Sequence, residues 1–175
     1  MATHRCFVAL DLPPEIRAAA LEVQARLREQ VPALRFTAPD NLHLTLKFLG
    51  ELQEARCEDV AARLARIRCD GFGVRLGEAG CFVPRIVWVA LRGADALQAQ
   101  VDAALSEDFT SEHRFMGHIT IARTHRIPPQ VRHAVEALVV PALEIRVRSF
   151  SLQESHLSPA GPRYQTRAQY RLPGD

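Results

Sequence analysis

A chain of 175 residues with 47% hydrophobic and 24% charged side chains has the make-up of an ordinary soluble globular protein, long enough to bury a substantial apolar core. No apolar run approaches the ~20 residues that cross a bilayer, and the short run in MATHRCFVALDLPP contains Asp11 and reads as a strand, not a signal peptide. A net charge of +2 neither marks nor excludes a nucleic-acid partner, since a few arginines suffice to hold a short RNA end. These features lead us to expect a cytoplasmic protein without a membrane span, folded as one compact unit over residues 1–175. Cys6, Cys57, Cys69 and Cys81 form no C-x-x-C pair and have no histidine at zinc spacing, so they are expected as reduced, buried thiols.

In chain order, Arg5 to Leu12 is β-prone and is stopped by Pro13-Pro14. Ile16, Ala20, Val23 and Leu27 then repeat at helical spacing, predicting a helix from Pro14 to about Gln30. Leu34 to Thr37 is a short strand candidate, and Pro39-Asp40-Asn41 a turn. Leu42 to Leu49 reads as a strand ended by Gly50. Strict alternation places His43, Thr45 and Lys47 on one face and Leu42, Leu44, Leu46 and Phe48 on the other. Three polar groups are costly to bury unpaired, so their face should line a solvated cleft.

A second helix is expected from Ala55 to about Ile67. Strands follow at 71–76, 81–83 and 86–91, separated by Gly77, Gly80 and Pro84, and a third helix at 94–106. His118 to Arg123 (HITIAR) is again strand-like, with His118 and Thr120 sharing a face. Pro128 to Val139 predicts a fourth helix, 143–152 one long strand, and 164–172 a last one. His156-Leu157-Ser158 imitates the start of a third tetrad, but Pro159 argues for a loop. His113 and His125 are expected at the surface.

The order strand, helix, His-x-Thr strand, helix, strand thus occurs twice, which suggests two lobes related by an approximate twofold axis. A lone His-x-Thr carries little weight, but two copies in equivalent slots of a repeat do. Paired imidazoles suit general acid–base chemistry, because one can be neutral while the other is charged near pH 7. Opening a phosphodiester needs both roles, and the threonine hydroxyls can donate to the phosphoryl oxygens without a metal. A metal site is the weaker reading, since threonine is a poor ligand and neither tetrad holds a carboxylate. No cofactor is implied.

The two tetrads resemble those of the two-histidine phosphoesterase superfamily. Within it the chain resembles the RNA 2′,3′-cyclic phosphodiesterases, also called 2′-5′ RNA ligases. The resemblance rests on FVALDLP, NLHLTLKFLGE, VWVAL and HITIAR, and on a tail from Leu152 through Ser155, Leu157, Pro159 and Gly161 to Tyr164. It implies an α+β, bilobal fold in which two antiparallel sheets line a central cleft with helices outside. It implies hydrolysis of RNA 2′,3′-cyclic phosphate ends to 2′-phosphates, with His43 as proton donor and His118 as proton acceptor. Thr45, Thr120 and Arg123 would bind the phosphate; Lys47 and Phe7 are further candidates for substrate contact. Alternation puts Arg123 on the core face, so its strand must twist or bulge. Gly117 stands where the family pattern has proline, which should loosen the start of that strand. The partner implied is an RNA end such as a tRNA fragment, although a small cyclic nucleotide also fits, and the protein is expected to be a monomer. Three other readings stay open: 2′-5′ ligation at the same site, an RNA- or nucleotide-binding module without turnover, and a metallohydrolase.

Overall fold

The computed structural model describes residues 2–174. Its elements in chain order are β1 (Thr3–Leu10), α1 (Pro14–Gln30), β2 (Arg35–Phe36), a 3-10 turn at Pro39–Asn41, β3 (Leu44–Gln53), α2 (Glu54–Leu64), β4 (Phe72–Phe82), β5 (Ile86–Arg92), α3 (Asp95–Leu105), β6 (His118–Arg123), α4 (Pro129–Glu136), β7 (Glu144–Val147), β8 (Ser149–His156) and β9 (Arg163–Arg171). Among the described residues no helix is long and apolar enough to cross a membrane.

The strands pair antiparallel in the order β7-β4-β5-β6-β3-β1-β8-β9, and β2 adds to β6. The path narrows at its middle. β3 and β6 share a single registered pair, Leu44 opposite Ile119, whereas β1 and β3 pair along their whole length. Two antiparallel halves, β9-β8-β1-β3 and β6-β5-β4-β7, therefore meet edge to edge at the two His-x-Thr strands. This is the α+β, two-lobed arrangement expected, with the two sheets continuous through one narrow joint.

The repeat is interleaved between the lobes. α1, which connects β1 to β3, packs against β6 and α4 of the other half, while α3, which connects β5 to β6, packs against β3 and α2. The core lies between the helices and one face of each half-sheet, as one connected apolar cluster. The opposite faces line the cleft.

The strand ends expected at Gly50, Gly77 and Gly80 are absent. Gly77 and Gly80 do not interrupt β4. They are holes in it: a Cβ on Gly80 would lie 2.4 Å from the Trp88 ring, and one on Gly77 3.0 Å from Ala90 Cβ. Glycine in a strand often marks such a close approach. Gly50 likewise lies within β3, at φ 76°, opposite Cys6. In contrast, the single strand expected at 143–152 divides. β7 pairs with β4 on one lobe and β8 with β1 on the other, so the chain crosses between lobes at Arg148.

Candidate active site

The two tetrads are held alike. His43 sits just before β3, and its Nδ1 lies 2.7 Å from the carbonyl of Asn41. His118 opens β6, and its Nδ1 lies 2.7 Å from the carbonyl of Met116. A carbonyl only accepts, so each Nδ1 carries the hydrogen and donates it. In the neutral rings both Nε2 atoms are then lone-pair acceptors. The Nε2 of His43 is engaged, with the Thr45 hydroxyl donating to it at 2.9 Å. The Leu44–Ile119 register turns His43 toward Thr120 and Thr45 toward His118. All four side chains are half-buried.

Gly117 holds rather than loosens this arrangement. Its carbonyl accepts from the Leu91 N–H at 2.9 Å, and a Cβ there would lie 2.3 Å from the Leu91 carbonyl oxygen.

Aromatic rings stand beside each histidine. Tyr164 meets His43 edge-on, with centroids 5.1 Å apart, and Phe7 lies 5.0 Å from both. Phe82 meets His118 edge-on at 5.0 Å and leans on Trp88. Phe7, a candidate for substrate contact, is only 4% exposed, because His43, Phe48 and Tyr164 roof it. It supports the imidazole rather than offering an open surface.

Strict alternation fails in both motif strands, at equivalent positions. Relative to β5, β6 carries one extra residue, Ile121: Trp88 faces Thr120 and Val87 already faces Ala122. Relative to β1, β3 carries an extra residue at Leu46 and another at Leu49. An extra residue shifts the following side chains to the other face. The bulge at Ile121 therefore buries Ala122 and turns Arg123 to the cleft. Its charge acts on His43 and Tyr164, which resolves the conflict that alternation posed.

The same shift in β3 reverses two expectations. Lys47 does not share the face of His43. It is 6% exposed, ion-paired with Asp102 of α3, and donates to the Thr110 carbonyl at 2.7 Å. Asp102 also accepts from the Glu112 N–H at 2.7 Å, so the lysine is a buried tie and is not available to substrate. Phe48, expected in the core, takes the position that corresponds to Arg123 and is 72% exposed beside Phe7. Sequence reasoning missed Phe48, Tyr164 and Phe82 as cleft residues. The signal for Phe48 was present: if HITIAR must bulge to bring out Arg123, its repeat partner HLTLKF should bulge too.

Burial pushes His43 below the usual histidine range, helped by the charges of Arg123, His118 and Arg17 and opposed by its bond to Asn41. Burial also raises Tyr164, against Arg123 and Arg5. The other histidines fall outside the site. His113 and His125 are exposed, and His156 ends β8 at 3.5 Å from Glu154, which also binds His4 and Arg167. The cysteines are all free, with Cys6 and Cys57 buried and Cys69 and Cys81 part-exposed. Among the described residues no group of three or more His, Cys, Asp or Glu side chains is placed to hold a metal ion.

The sequence matches the family model described as LigT like Phosphoesterase over residues 10–88 and 90–164. The chain belongs to this family. The RNA 2′,3′-cyclic phosphodiesterase of Thermus thermophilus is 36% identical, with 98% of this chain and 91% of that protein covered. Among solved structures, TT0787 of Thermus thermophilus superposes with a TM-score of 0.81 at 31% identity, covering 96% of this chain and 97% of that one. Escherichia coli LigT complexed with 3′-AMP gives a TM-score of 0.76 at 30% identity, covering 98% and 99%. The family assignment therefore extends over both lobes and both tetrads of this LigT-like phosphoesterase.

Proposed function

We propose that this phosphoesterase hydrolyses the 2′,3′-cyclic phosphate at an RNA end to a 2′-phosphate, without a metal, by paired histidine acid–base catalysis. The observation that carries the reading is the matched pair of Nδ1 bonds to Asn41 and Met116. Each fixes one ring tautomer and directs an Nε2 to the joint between the lobes. The names of the relatives and the 3′-AMP in the E. coli LigT complex support the substrate class.

His118 acts as the base, since its Nε2 has no protein partner among the described residues and is free to take a proton from water. His43 acts as the acid and protonates the departing 3′ oxygen. Thr45, Thr120 and Arg123 meet the charge that builds on the phosphoryl oxygens. When His43 gains its proton, the Thr45 hydroxyl no longer donates to Nε2 and its hydrogen is free to turn to the phosphate, while Nε2–H serves the departing 3′ oxygen. The exposed face of Phe48 and the edge of Tyr164 form the wall for the base.

A second assignment, with His43 as base and His118 as acid, is favoured by one observation: the depressed pKa of His43 keeps it neutral in the free protein. A substrate whose leaving group needs no proton separates the two. On a p-nitrophenyl phosphodiester, His43→Ala should retain turnover and His118→Ala should not; the opposite outcome reverses the roles. On an RNA ending in a 2′,3′-cyclic phosphate, in EDTA, both variants should be inactive and the native protein active. Loss of native activity in EDTA would refute metal independence, and binding without turnover would refute the hydrolase reading.

A further inference from the structure

We infer that Gln24, a buried glutamine on α1, is a positioning residue that holds Arg123 in the cleft by pinning the bulge at Ile121. The bulge leaves Ile121 without a partner on β5. Its carbonyl oxygen, turned toward β2 and α1, accepts two hydrogen bonds: from the Thr37 N–H at 3.0 Å and from Gln24 Nε2 at 2.8 Å. The same Nε2 donates to the Thr37 carbonyl at 2.8 Å, and the Thr37 hydroxyl donates to the Thr120 carbonyl at 2.9 Å. Both oxygens facing the amide are carbonyls, which only accept, so the amide orientation is fixed by its partners.

Gln24 is 4% exposed, on a helix face otherwise made of Ile16, Ala19, Ala20, Val23 and Leu27. A buried polar side chain is tolerated where it satisfies backbone groups that regular structure leaves unpaired. Here those groups belong to the bulge and to the residue that lies beside it. Without the bulge, β6 reverts to strict alternation and the Arg123 side chain returns to the apolar core face, where a guanidinium is costly to bury. The bulge thus decides whether the cleft holds a cation, and Gln24 and Thr37 stabilise the bulge. In the other lobe the equivalent bulge is held differently, by the Lys47–Asp102 pair, and it delivers Phe48 instead of a cation. The two lobes share a backbone device and present opposite chemistries through it.

The inference concerns the placement of Arg123 and draws its catalytic meaning from the phosphate-binding role proposed above. Two measurements on Gln24→Met, Arg123→Ala and the double variant test it: calorimetric affinity for inorganic phosphate, and the NMR titration of the His43 ring. Arg123→Ala should weaken phosphate about tenfold to a hundredfold, the range of a charge-assisted contact. Gln24→Met should weaken it by about three- to tenfold, a fraction of that contact, and add nothing in the Arg123→Ala background. Because Arg123 lowers the His43 pKa, Gln24→Met should raise it in the free protein, again only while Arg123 is present. Equal losses with and without Arg123, or an unmoved His43 titration, would show a merely structural glutamine and overturn the inference. If Arg123→Ala leaves phosphate affinity unchanged, the phosphate role fails, and the His43 titration still decides whether Gln24 sets the guanidinium. Should Gln24→Met fail to fold, Thr37→Val, which removes only the bond to the Thr120 carbonyl, enters the same cycle with the same pattern expected.

Discussion

Replacing Lys47 with methionine leaves the Asp102 carboxylate buried with no cation. The two side chains are 5% and 11% exposed, so neither charge is solvated in the native state. Removing one partner of such a pair costs about 3–5 kcal/mol, because the remaining charge loses its compensation. Asp102 keeps the Glu112 N–H, which partly compensates its charge, so the lower end of about 3 kcal/mol applies. For a chain of this size that corresponds to a fall in Tm of about 6–12 °C. Urea and thermal unfolding of Lys47→Met and of Lys47→Met/Asp102→Leu give the measurement. The double variant carries no unpaired charge, and it should recover most of the loss. A cost below about 1 kcal/mol for the single variant, the level of an exposed pair, or a double variant as unstable as the single would refute the buried pair. Turnover separates this from a substrate-binding lysine: per folded molecule, KM should change by less than about threefold, since Lys47 points away from the cleft.

Three more outcomes follow from the same geometry. Phe48→Ser should leave the Tm nearly unchanged, because the ring is exposed. It should weaken nucleotide binding by about 1–3 kcal/mol, the value of one base–aromatic stack; an unchanged KM with every base would remove Phe48 from the wall.

Stability should fall in two stages on acidification. His43 is depressed below 6.5, so the unfolded chain binds that proton first, and stability present above pH 6.5 is lost as the pH falls toward the native value. Asp102 and Glu154 are held below 3.8 and 4.5 even though burial pushes them upward. Lys47 and Glu112 hold the first, and His4 and Arg167 the second, so their contribution is lost below those values. Melting curves at pH 7.5, 5 and 2.5 check this, and His43→Ala should flatten the first stage only. The Cys6 thiol, pushed up to about 12 chiefly by burial, should react with a thiol reagent no faster than the protein opens, and rapid labelling in the native state would contradict its burial.

Periodicity and composition carried much of this molecule. The apolar stripe of Ile16, Ala20, Val23 and Leu27 specified α1, and the two His-x-Thr segments within β-prone runs specified the repeat and its candidate catalytic pair. These are local properties, because side-chain spacing along one helix or strand is a property of the chain itself. What alternation got wrong was everything beyond an extra residue in a strand. Lys47, Phe48 and Arg123 each change face because a bulge is a relation between two strands, and nothing in either strand alone says how many residues oppose one another. The same holds for Gly77 and Gly80, which look like breaks until Ala90 and Trp88 are placed against them. The sequence by itself determined the lobes, the two histidines and their threonines. Only the tertiary structure decided which cation and which aromatic ring face the cleft, because both depend on register across β1–β3 and β5–β6 and on the helices that pin it.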